Sequence, residues 1–86
     1  MEGYDVVAND DHKIGYVVET ENGYLIVESG ILRKSKHAVP LDMARTDDDE
    51  RVVRLTVSKE MVTEGPTVED GGWQAVDDYY GWSSKE

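Results

Sequence analysis

The chain has no cysteine, so no disulfide staples it and no thiolate can ligate zinc. Disulfide-dense secreted scaffolds are excluded. Long apolar runs are also missing: no stretch approaches the roughly 20 residues that span a bilayer. The first residues, Met1-Glu2-Gly3-Tyr4-Asp5, offer neither the basic nor the apolar region of a signal peptide. These absences lead to the expectation of a cytoplasmic protein with no membrane span. Basic residues are scarce, 9 against 19 acidic ones, for a net charge of −10. Phosphate backbones repel such a surface, so nucleic acid is a disfavoured partner unless the few basic residues cluster. The acidity serves solubility, or it marks a salt-adapted host or a basic partner. Five lysines among the nine basic residues speak against salt adaptation, which usually avoids lysine.

What is present is strand-forming. In 86 residues there is room for one small domain, which buries roughly 60–65% of its unfolded surface. Val, Ile, Tyr and Thr dominate the apolar stretches up to Val57 and favour strands. Strands are expected at Asp5 to Ala8, Lys13 to Glu21, Tyr24 to Glu28, His37 to Pro40 and Val52 to Val57. The fourth is expected to extend with a kink through Met43-Ala44-Arg45. Asn9-Asp10-Asp11 is a turn, because Asn and Asp tolerate left-handed backbone. Asn22-Gly23 suits the two central positions of a type I′ hairpin turn. Pro40 cannot donate to a ladder and belongs on an edge or at a bend. Ile14 and Val17 both look like core residues, yet they are three apart. A β-bulge at Gly15-Tyr16 restores their common face, and makes Gly15 structural. With Leu25, Val27, Val39, Val53 and Leu55 they form the expected inward set.

Beyond the strands, Ser58 caps a short helix near residues 59–64, which Gly65-Pro66 stops. Met61 and Val62 should fold over one barrel end. Residues 67–72 read as a polar linker. Then come Trp73, Val76, Tyr79, Tyr80 and Trp82, of which Trp73, Val76 and Tyr80 fall on one helical face. Large rings concentrated in this way are the best candidates for interaction, because Trp and Tyr are enriched at binding hot spots. The alternative is that they pack on their own domain. The division expected is therefore residues 1–66 as the domain and 67–86 as linker and aromatic tail, seated on its own or a partner's barrel.

Catalytic chemistry finds little footing. His12 and His37 are the only histidines, and no Ser or Asp clusters with them as a triad would require. Asp47-Asp48-Asp49-Glu50 lacks the alternating ligands, central glycine and terminal glutamate of a calcium loop. No catalytic, cofactor or metal residue is assigned. Arg33, Lys34 and Lys36 form the one basic cluster. It is a solvated loop, or a weaker candidate contact for RNA phosphate or an acidic protein.

The turn before Ile14-Gly15-Tyr16-Val17, the strand Gly23-Tyr24-Leu25-Ile26-Val27, the segment Val39-Pro40-Leu41 and the closing run Val53 to Glu60 together resemble the PRC-barrel family. That module is shared by the photosynthetic reaction-centre H subunit and the C-terminal domain of a ribosome maturation factor. The resemblance covers roughly residues 3–66. Tyr79-Tyr80-Gly81 also resembles the tails of short stand-alone members. His12 departs from the glycine that family members often carry in the first turn. The resemblance implies an all-β fold: a small barrel of five to six strands with a short helix, serving as a non-enzymatic protein-interaction or assembly module. Self-association, with a homodimer as its simplest form, is expected in addition, with the aromatic tail as a candidate two-fold interface. A second expectation, from the ribosome-factor analogy, is an RNA- or ribosome-associated assembly factor using the basic cluster.

Overall fold

The computed structural model describes residues 1–30 and 34–81, without the side chains of residues 69–72. Six strands form one mixed sheet: β1 Asp5–Val7, β2 Lys13–Glu21, β3 Tyr24–Ser29, β4 Ser35–Pro40, β5 Ala44–Asp47 and β6 Val52–Leu55. Two helices follow, α1 Lys59–Thr63 and α2 Val68–Tyr80. The strand order is β4-β3-β2-β1-β6-β5. All neighbours run antiparallel except β1 and β6, which are parallel. The expected strand positions hold to within two residues at most ends. β4 does not kink onward. A 3₁₀ turn at Leu41–Met43 separates it from β5, because Pro40 ends the ladder and redirects the chain.

All seven expected inward residues are buried in one cluster, joined by Val6, Ala8 and Val62. That cluster draws on β4 at one end of the strand order and β6 near the other, so the sheet curls around a single core. Among the described residues no ladder joins the edge strands β4 and β5. Ser58 Oγ accepts the Met61 N–H at 3.1 Å, and α1 places the fully buried Val62 against the core. Asn22 and Gly23 both adopt positive φ, 56° and 84°, the pairing a type I′ turn demands.

The phase of β2 is corrected by two irregularities rather than one. Against β1, Val6 faces Gly15 while Val7 faces Lys13, so Ile14 is the extra residue. Against β3, Val17 faces Val27 while Glu19 faces Ile26, so Val18 is extra. Ile14 and Val17 reach the same core. Gly15 is needed for a steric reason: a Cβ there would stand 1.9 Å from the Glu28 carbonyl oxygen, so the two backbones meet where no other residue fits.

The polar linker expected at residues 67–72 is absent as such, because α2 already begins at Val68. Gly71 and Gly72 each cost a helix about 1 kcal/mol relative to alanine. Packing of Val68 and Trp73 on the sheet offsets that cost.

Candidate interaction surfaces

The sheet has an inner face around the core and an outer face that divides into two halves. Over β2, β3 and β4 the outer side chains Val18, Tyr24, Ile26 and Ala38 form a second apolar cluster, and α2 covers it with Val68, Trp73, Val76 and Tyr80. Trp73 stacks on Tyr24 with ring centroids 5.0 Å apart. Val76 is 0% exposed. Burial pushes the Tyr80 phenol well above its ordinary value, and the neighbouring Tyr79 adds to the shift. Tyr79 itself is 39% exposed. Its hydroxyl donates to the Met61 carbonyl at 2.6 Å, and its ring lies against Gly65. The helical face seen in the sequence therefore seats on the chain's own sheet, which leaves Val76 no surface to offer. Trp82 lies outside the described residues.

The basic cluster is weakly placed for binding an anion. Lys34 Nζ lies 3.9 Å from Glu28. Lys36 stands directly across from the same glutamate in the ladder, so a carboxylate sits beside both lysines. Arg33 lies outside the described residues. The two histidines are not brought together. His12 occupies the turn before β2, its ring 3.6 Å from Asp10. His37 is on β4, 4% exposed, on the same face as Val27 and Val39, with β3 lying between β4 and β2. In the Asp47-Asp48-Asp49-Glu50 turn, the Asp47 carboxylate accepts the Asp49 and Glu50 N–H groups, each at 3.1 Å. Asp48 accepts the Tyr4 hydroxyl at 2.9 Å, a bond that raises the Tyr4 pKa. Among the described residues no three His, Asp or Glu side chains converge as a metal site would require.

The other half of the outer face, over β2, β1, β6 and β5, has no helix above it among the described residues. The registers place its side chains in two rows across the strands. One row is Tyr16, Asp5, Val52 and Asp47; the other is Lys13, Val7, Arg54 and Arg45. Tyr16 is 38% exposed. Lys13 pairs with Asp5 at 3.2 Å and Arg54 with Asp11 at 3.5 Å. Arg45 makes no ion pair among the described residues, and it stands directly across from Arg54. Like charges so placed destabilise a sheet slightly. The second row is thus a basic stripe on an acidic protein. Its residues lie at positions 13, 45 and 54, too dispersed for a reading along the chain.

No protein-family model matches the chain, and no curated protein matches its sequence. Among the described residues no helix is long and apolar enough to cross a membrane.

Proposed function

We propose that this protein is a non-enzymatic, cytoplasmic interaction or assembly module of the PRC-barrel type, its curled sheet a barrel left open between β4 and β5, and that it acts through protein contact, self-association included. The carrying observation is the asymmetry of the sheet's outer face. One half is covered by the chain's own α2. The other half presents Tyr16, Val7 and Val52 among Asp5, Asp47, Lys13, Arg54 and Arg45, in ordered rows. A rigid face of this kind, with an exposed ring and charges of both signs, suits a protein surface better than a phosphate backbone, which calls for one sign of charge. Flanking of Lys34 and Lys36 by Glu28 supports the same choice over RNA.

Capture from native lysate, with and without nuclease, tests this proposal. A protein retained equally in both conditions is the expected outcome. Ribosomal material that is lost with nuclease would replace the proposal with an RNA-associated role.

A further inference from the structure

We infer that two copies of the chain associate through the free edge of β5, paired antiparallel about a two-fold axis at Thr46. The inference rests on the self-association proposed above and names its seam. The ladder sets the geometry. Thr56 N–H donates to the Met43 carbonyl, which makes Met43 and Thr56 a hydrogen-bonded pair. Such pairs alternate along an antiparallel ladder, so Arg45 and Asp47 direct their amides and carbonyls at β6. Thr46 directs its own away from β6, toward the edge where no strand is paired among the described residues. The Ala44 N–H is already taken by the Leu41 carbonyl, which leaves Thr46 as the open donor and acceptor at the middle of the strand.

Charge selects a second copy as the occupant. A two-fold axis at Thr46 exchanges the Thr46 N–H and carbonyl between copies. It sets Arg45 of each copy across from Asp47 of the other, in the non-hydrogen-bonded position where side chains approach most closely. Arg45, which makes no ion pair among the described residues, then gains a carboxylate on the side away from Arg54. The rows also continue across the axis. The basic row of Lys13, Arg54 and Arg45 runs on into the partner copy's Asp47, Val52 and Asp5, and the reverse holds on the other side. A foreign strand would need its own acid and base at this spacing; a second copy has them by symmetry. The edge is short and each copy carries −10, so the dimer is weak and favoured by screening salt.

Sedimentation of the full chain over about 10 μM to 1 mM, in about 0.5 M NaCl, tests the seam. The wild type should pass from monomer to dimer. Arg45→Asp and Asp47→Lys should each weaken association by about tenfold or more, because like charges then face each other across the axis. An equimolar mixture of these two variants should recover the dimer, since each supplies the charge the other needs. Asp47→Lys also removes a turn cap, so Thr46→Pro serves as a second probe. It deletes the outward N–H and leaves the β6 ladder intact, and it should be monomeric with unchanged circular dichroism. A dimer that persists in Arg45→Asp and Thr46→Pro overturns the seam while self-association stands. A wild type that stays monomeric throughout overturns both, and the lysate capture still tests protein contact separately.

Discussion

Substituting Gly15 by alanine should be among the most damaging single changes available to this fold. The added Cβ would lie 1.9 Å from the Glu28 carbonyl oxygen, 2.8 Å from its carbon and 3.1 Å from Ser29 Cα. These are backbone atoms of β3, so no side chain can swing aside. Relief requires β2 and β3 to part by more than 1 Å, at a position that also carries the bulge setting Ile14 and Val17 on one face. Overpacking usually costs about 1–3 kcal/mol, and the absence of a flexible neighbour puts this case at the upper end, about 3 kcal/mol. For a domain of this size 1 kcal/mol shifts Tm by about 4–8 °C, so the expected loss is about 12–24 °C. Gly3→Ala is the control. Gly3 has φ 85° with open space around its Cβ position, so it should lose only the backbone term, about 1–2 kcal/mol. Thermal melts by circular dichroism decide the matter. A Gly15→Ala protein melting within about 2 °C of wild type would refute the close approach of β2 and β3 and the bulge built on it.

Ending the chain after Asp70 should lower Tm, because Tyr24, Ile26 and Ala38 lose their cover; scattering should show no change in mass, since α2 sits on its own sheet. Lys34→Ala should move stability by less than about 0.5 kcal/mol in a denaturant titration, because the lysine is mostly exposed and its pair with Glu28 is a surface ion pair. The raised Tyr80 pKa favours the neutral phenol in the folded state, so its stabilisation is complete below the ordinary tyrosine value of 10.0 and is lost as pH rises beyond it. Tm should therefore fall above that pH, and less steeply in Tyr80→Phe; identical slopes would show that Tyr80 is not buried.

In β3 the run Tyr24 to Val27 is apolar throughout, because both its faces are buried; the core was legible where strands alternate with period 2, as Val53, Leu55 and Val57 do against Arg54 and Thr56. Ile14 and Val17 announced a bulge by breaking it. The split into two irregularities was not legible, since one depends on β1 and the other on β3, and register against a partner strand is not a local property. The parallel pairing of β1 with β6 was hidden for the same reason. α2 was legible from Trp73 onward through its apolar spacing. Its first turn was masked by Gly71 and Gly72, whose propensity is overridden by packing of Val68 and Trp73. The open face escaped the sequence altogether: Lys13, Arg45 and Arg54 become neighbours only through the registers of three strand pairs.

The proposal that this protein works by protein contact through the open half of its sheet is tested most directly by comparing what the wild type and a double variant, Tyr16→Ala with Arg54→Glu, capture from nuclease-treated lysate. Both side chains are exposed and on the outer face, so the variant should fold with a wild-type melt. The expected result is a protein partner that the wild type retains and the variant loses. Retention by both proteins, or by neither, would contradict the assignment of this face.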